Sequence, residues 1–455
     1  MNPLHGAASG GYLEVMEYLI QQGSDVNKAN AKGWTPFNAA VQKGQLEAAK
    51  YLMTEGAKQN KYAGMNPLYA AARYGHLNII EFFLSKGADV NEENETGRIP
   101  LHGAAIHGNT EVMKYLIQQG SDVNKAEAKG CTPFNAAVQS GHLEAVKYLM
   151  SEGARQNKYY GMTSLYAAAR FGHLDIVEFF ISNGADVNEE DDDGMIPLHD
   201  AACEGHLKVM EYLIQQGSEM NKKDNRQISL EYEGDREYIY NGITPLFSAA
   251  RFGHKDVVKF LVSKGGNVTD RDGIGQTPLH GAAIKGDIEM LQYLIQEGCD
   301  VNKKDNTGMT PFIAAVQNGH LEAIKYLLTE GAEQNRYDGM TPLYAAAKLG
   351  HLHIVEFFIS KGADVNEENE EGMIALHGAA TRCHMKVMEY LIQQGSVVNK
   401  KNNSGRTSYN AAVKECHLEA VKYLVTEGAK QNRYDGMTPL YAAAQFGHLD
   451  IVEFF

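Results

Sequence analysis

The chain has 455 residues, with 42 lysines and arginines against 57 aspartates and glutamates and a net charge of −15. No basic stripe is segregated from that acidic background, so nucleic acid is not an expected partner. Five scattered cysteines, Cys131, Cys203, Cys299, Cys383 and Cys416, argue against a disulfide framework and for a reducing compartment, the cytoplasm foremost with the nucleus as the alternative; no apolar run approaches the roughly 20 residues of a membrane span, so a soluble chain without membrane insertion is expected.

In chain order the elements are copies of one phrase. It opens as Asn2-Pro3-Leu4-His5-Gly6-Ala7-Ala8, and its proline position returns at Pro36, Pro67, Pro100, Pro133, Ser164, Pro197, Pro245, Pro278, Pro311, Pro342, Ala375, Ser408 and Pro439, which accounts for all 11 prolines. The spacing is 33 or 31 residues throughout, apart from one step of 48 between Pro197 and Pro245. A fixed period of this length is the signature of a repeat solenoid, in which length counts units and not separate cores.

The unit Gly130 to Gly153 shows why each copy folds. Thr132 before Pro133 predicts a helix start, since the hydroxyl caps free N–H groups and proline at the first helical position loses no hydrogen bond. Gly141 and Gly153 supply left-handed residues that end a first and a second helix. Apolar residues at helical spacing, as in Leu13, Met16, Leu19 and Ile20, predict one buried face on the second helix. Helices this short are marginal alone, so each unit must bury its apolar face on the next.

The Thr-Pro-Leu and Asn-Pro-Leu phrases, the Gly172-His173-Leu174 turn and the Gly87-Ala88-Asp89-Val90-Asn91 segment resemble the ankyrin repeat, whose period also matches. The resemblance implies an all-α repeat solenoid of stacked helix-turn-helix units with β-hairpin-like fingers. It also implies that the histidines recurring in two register slots, His5, His102, His199, His280 and His377 in one and ten turn histidines in the other, bond backbone of their own or the adjacent unit. His107 and His353 fall outside both slots and show no evident partner group.

Three flavours of unit, opening Pro-Leu-His-Gly, Pro-Phe-Asn-Ala and Pro-Leu-Tyr-Ala, alternate to give a larger period of 97 residues. The middle flavour is missing after Pro197, and residues 226–240 stand in its place, read as an extended finger loop rich in tyrosine. The expected organisation is repeats over 1–225, the loop over 226–240 and further repeats over 241–455. Both ends fall inside a repeat, which predicts a fragment of a longer array whose uncapped ends could self-associate.

No nucleophile–base spacing, phosphate-cradling loop or metal-ligand spacing stands apart from the repeats, so neither catalysis nor a cofactor is expected. The acidic run Glu189 to Asp193 lacks the alternating ligands of a calcium loop and reads as a solvated turn. What remains is recognition of an unidentified partner protein. In folds of the ankyrin type the partner lies in a concave groove against the finger tips and the ends of the first helices. Carried onto this sequence, that gives Arg73, Tyr74, Arg170, Phe171, Arg251 and Phe252 on the helices, and Lys32, Trp34, Tyr62, Tyr159, Tyr160, Tyr337 and Tyr434 on the fingers. Tyr232, Tyr238 and Tyr240 in the loop complete the candidates, aromatic and arginine side chains being frequent interface anchors. Some of these aromatics are equally expected to pack on the neighbouring finger. The fingers alternate in charge, which would suit a partner of alternating charge. A second reading makes the chain the targeting or regulatory arm of a larger protein with a catalytic or channel module.

Overall fold

A computed structural model describes every residue except 1, 32, 226–227, 233–235, 241, 432 and 434–435, and gives the backbone alone for 228–232 and 236–240. Among the described residues there are 28 helices, taken in consecutive pairs, and one two-stranded hairpin. They divide into two compact units, Met1–Glu219 and Met220–Phe455. The first runs from the pair Pro3–Gly10 and Leu13–Gln21 to the pair Pro197–Cys203 and Leu207–Gln215; the second contains the hairpin and the pairs from Pro245–Phe252 and Lys255–Ser263 to Pro439–Gln445 and Leu449–Phe454. Each is an all-α stack of helix pairs, as the repeat period predicts.

The helix starts follow from the residue before the proline slot. Thr35 Oγ1 accepts from the Asn38 N–H at 3.3 Å while Asn38 Oδ1 accepts from the Thr35 N–H at 3.1 Å, a reciprocal cap repeated at Thr132 and Thr407. Ile99, Ile196 and Ile374 hold the same position without a hydroxyl. There the histidine three residues on takes the asparagine's part of the cap: the Ile99 N–H donates to His102 Nδ1 at 3.2 Å, and His102 Nε2 reaches the Cys131 carbonyl of the next unit at 3.0 Å. Burial holds His102 down to about 4, so the ring is neutral at pH 7 and its Nε2–H donates.

The turn histidines join units in the opposite direction. His76 Nε2 lies 2.8 Å from the Gln42 carbonyl, His173 Nε2 2.9 Å from that of Gln139 and His320 Nε2 2.8 Å from that of Ile284. The preceding glycine makes room: Gly44 has φ +75°, and a Cβ there would sit 2.6 Å from His76 Nδ1. The two histidines left without a partner by sequence reading are also engaged. His353 Nε2 lies 3.1 Å from the Gly319 carbonyl, and His107 packs edge-on against Tyr74 at 6.0 Å; neither contact is visible without the stacking.

The core is a continuous seam between helix pairs. Ala39 and Ala40 on a first helix, and Ile79, Ile80 and Phe83 on a second helix of the next pair, are buried. Phe37 meets Phe83 at 6.2 Å, and Phe134–Phe180 and Phe312–Phe358 repeat that distance. Burying one such ring contributes about 2–3 kcal/mol, more than a helix of seven residues can supply for itself. The stability therefore resides in the seams between neighbours.

Two kinds of finger connect the pairs. In the longer kind an Asx residue organises the turn: Asn94 Oδ1 accepts from the N–H groups of Thr96 and Arg98, both at 2.9 Å. The 31-residue units have a finger shorter by two residues, and it closes as a two-residue hairpin turn. Tyr62 and Met65 exchange both backbone hydrogen bonds at 2.9 Å, with Ala63 at φ 48° and Gly64 at φ 74°. Positive φ at both central residues defines a type I′ turn. The same bridge forms between Tyr159 and Met162 and between Tyr337 and Met340.

Candidate functional site

The short finger sets up the aromatic cluster of the first compact unit. Its turn lays the Tyr62 ring 5.7 Å from Trp34 on the preceding finger, and both rings line a notch with Val41, Gln42, Met65 and Tyr74. Gln42 Nε2 donates to the Tyr74 hydroxyl at 2.8 Å, which fixes the Tyr74 ring. Trp34, Tyr62, Arg73 and Tyr74 are each half-buried, and the Trp34 ring packs near His5 at 6.3 Å as well as Tyr62, the neighbour packing that the sequence also allowed. The Arg73 guanidinium rests on Met65 Sδ at 3.8 Å. Burial, and then the Arg73 cation, hold the adjoining His107 below its usual range.

The other candidates divide by environment. Tyr160 is exposed and lies 4.4 Å from Tyr159. It also adopts φ 52°, a left-handed conformation that a bulky residue rarely takes. Phe171 and Phe252 are 43% and 49% exposed at the ends of their first helices. Arg170 has a structural partner that the sequence did not reveal, the buried Asp200 carboxylate at 3.4 Å. Arg251 is half-buried beside Gly281. Tyr337 is half-buried with its hydroxyl 3.0 Å from Thr307 Oγ1. Lys32 and Tyr434 lie outside the described residues. Tyr232, Tyr238 and Tyr240 fall on the antiparallel strands Ile228–Tyr232 and Arg236–Tyr240, with side chains outside the described residues.

Two features were missed by sequence reading. Leu349 is 42% exposed in the slot that holds Phe252 and Phe446; the 97-residue period was the signal that would have added it. On the second helices a lysine reaches over the aromatic ring of the following unit, Lys50 over Phe82 at 5.6 Å and Lys147 over Phe179 at 5.8 Å. A Lys-Tyr or Lys-Phe step in successive units could have announced that ladder.

The finger charges partly neutralise one another. Lys125 pairs with Glu93 at 2.6 Å, Lys158 with Asp192 at 2.9 Å and Arg336 with Glu367 at 3.3 Å. The alternation is thus partly consumed within the chain. Within the acidic run, Asp191 Oδ1 accepts from the Asp193 and Met195 N–H groups at 2.9 and 2.8 Å, the work of a turn residue. Among the described residues no His, Cys, Asp or Glu group is arranged to hold a metal ion, and no helix is long and apolar enough to cross a membrane.

The family described as ankyrin repeats (3 copies) matches residues 4–94, 91–160, 152–224, 227–305, 279–369 and 376–455. The chain belongs to the ankyrin-repeat family. Ankyrin repeats are in general protein–protein interaction modules, and a face of half-covered aromatics is in keeping with that. Among solved structures the chain is similar to the ankyrin repeat domain of human ASB11, with 24% identity over 52% of this chain and 99% of that one and a TM-score of 0.44. No curated protein matches the chain in sequence.

Proposed function

We propose that this ankyrin array is a non-enzymatic scaffold or adaptor that binds a partner protein through the face made by its fingers and the ends of its first helices. The observation that carries the reading is the exposed apolar residue that recurs at the end of first helices of one flavour, Phe171 in the first compact unit and Phe252, Leu349 and Phe446 in the second, with half-buried Tyr74 in the same slot. In other units the same slot holds Lys43, Ser140, Lys285 or Asn318. Packing therefore does not demand an apolar residue there, and recurring exposed apolar groups on a rigid surface mark interaction sites.

Affinity capture from native extract tests the proposal, with the wild-type array beside a variant carrying Phe171→Ala, Phe252→Ala, Leu349→Ala and Phe446→Ala. These residues are 42–49% exposed and lie at helix ends outside the seams, so circular dichroism should be unchanged. A partner retained by the wild type and lost by the variant supports the reading. A partner retained equally by both places recognition on another surface and overturns it.

A further inference from the structure

Each short finger carries a methionine straight after its turn glycine, at Met65, Met162, Met340 and Met437. The core methionines Met16, Met113, Met210, Met290 and Met388 have no exposed surface, whereas these four are half-buried on the fingers. A thioether within reach of solvent is open to oxidation to the sulfoxide, a polar group that disrupts a sealed core. Whether a finger accommodates that product depends on what meets the sulfur.

In the first compact unit it is an arginine, eight residues on at the end of the following first helix. Arg73 Nη1 lies 3.8 Å from Met65 Sδ, and Arg170 Nη1 lies 3.8 Å from Met162 Sδ. The backbone fixes the approach, because the Met65 N–H and carbonyl both bond to Tyr62 at 2.9 Å. A thioether is a weak acceptor, so this contact leaves the guanidinium poorly satisfied. The shortfall is larger for Arg73. Among the described residues no carboxylate pairs with it, and its Nε is buried without a hydrogen-bond partner. Arg170 Nη1 is shared with the buried Asp200 carboxylate at 3.4 Å, whereas the position equivalent to Asp200 in the unit following Arg73 is Gly103.

We infer that Met65 is a reversible oxidation site whose sulfoxide oxygen is taken up by the Arg73 guanidinium, so that oxidation pins the finger turn to the end of its own first helix. The oxidant is hydrogen peroxide. The Met65 Sδ lone pair attacks one peroxide oxygen, and the S–O bond forms as the O–O bond breaks. The displaced hydroxide takes the proton of the transferred hydroxyl and leaves as water; sulfur has lost two electrons and the peroxide has gained them. A strong acceptor then stands where a weak one stood, and a hydrogen bond from a cation is roughly twice as strong as a neutral one. At Met162 the new oxygen competes with Asp200 for Arg170 Nη1, so the gain there is smaller. No partner protein enters this chemistry, which stands or falls apart from the scaffold reading.

The test treats the full chain with hydrogen peroxide until peptide mapping by mass spectrometry shows Met65 and Met162 converted and Met16, Met113 and Met210 intact. Amide exchange of Tyr62 and Met65, whose mutual bonds close the turn, is then compared before and after, beside Met65→Leu treated in the same way. Oxidation should slow both amides about tenfold in the wild type and leave them unchanged in Met65→Leu. Tyr159 and Met162 should slow less, by about twofold to threefold, because Asp200 competes. Arg73→Gln should abolish the slowing at Tyr62 and Met65, and Arg73→Lys should keep part of it, which separates holding the oxygen from filling space. Methionine sulfoxide reductases supplied with a dithiol should restore the starting rates. Trp34, the one tryptophan of the chain, lines a notch with Met65, so its emission should change on oxidation and return on reduction. Exchange at Tyr62 and Met65 that is unchanged or faster in the oxidised wild type, or slowed equally in Arg73→Gln, overturns the assignment. Conversion of the core methionines as fast as Met65 overturns it as well.

Discussion

Replacing Asp272 by asparagine should stabilise the second compact unit at neutral pH. Asp272 Oδ1 accepts from the Ile274 and Gln276 N–H groups at 3.1 and 2.7 Å, while Oδ2 is buried without a hydrogen-bond partner. Burial raises this carboxyl to about 7 from the ordinary 3.8, the backbone donors oppose that rise, and Asp305 adds to it against the pull of Arg251. Between those two values the folded state holds a proton that the unfolded chain has released, so stability falls as pH rises from about 4 to 7. At 1.36 kcal/mol per pH unit the full effect is about 4 kcal/mol, and relaxation of the finger leaves an expected gain of about 1–3 kcal/mol for Asp272→Asn at pH 8. Asparagine keeps the turn, as Asn369 shows by accepting from the Glu371 and Met373 N–H groups at 3.0 and 2.8 Å in the same slot. Amide hydrogen exchange over residues 272–285, compared between wild type and variant from pH 4.5 to 8, is the assay. The difference should widen with pH. A difference that is constant with pH, or a variant less stable at pH 8, would refute the argument.

Tyr409 occupies the slot of Phe37 and Phe134 with its hydroxyl buried and unpaired, so Tyr409→Phe should add about 1–2 kcal/mol of local stability, read as slower exchange over 408–414. Acid should act on His102 with the opposite sign to Asp272. Its folded-state value of about 4 lies below the ordinary 6.5, so up to roughly 3 kcal/mol is lost as pH falls through that window, and His102→Asn should flatten the exchange of 99–106 against pH. Gly141→Ala and Gly153→Ala form a matched pair at φ 78° and 84°. A Cβ at Gly141 would lie 2.5 Å from the His173 ring, and nothing is near one at Gly153. The first should cost about 2–3 kcal/mol and the second about 1 in urea denaturation, and equal costs would show that the ring moves freely aside.

The helix pairs were legible because most boundaries are written in a residue with a backbone rule: threonine or asparagine before proline, and glycine at the turn, with Ile99, Ile196 and Ile374 and the turn residues Cys383 and Cys416 as exceptions. The candidate face was legible in part. Trp34, Tyr62 and Tyr74 were found as aromatics in the right register, but their convergence on one notch depends on the two residues missing from the finger between them, a difference in length and not in residue type. Arg170 and Arg73 look alike in sequence. What separates them is aspartate or glycine at one position some 30 residues further on, whose relevance appears only when neighbouring units are stacked. The use of histidine in place of asparagine to accept the Ile99 N–H is similarly a contact between a residue type and a backbone group three positions earlier.

The histidine links also bear on how the array would carry load. A seam consists of an apolar stack crossed by imidazole–carbonyl bonds, such as His142 Nε2 to the Ile106 carbonyl at 3.0 Å, and by finger bonds, such as Asn91 Nδ2 to the Gly120 carbonyl at 3.2 Å. Pulled from its ends, such a chain should yield seam by seam, each helix pair of 33 residues releasing roughly 110 Å of contour when extended. The seams weakest at a given pH would open first, those with a buried carboxylate in alkali and those with a buried histidine in acid, so the order of yielding under force is itself set by the solvent.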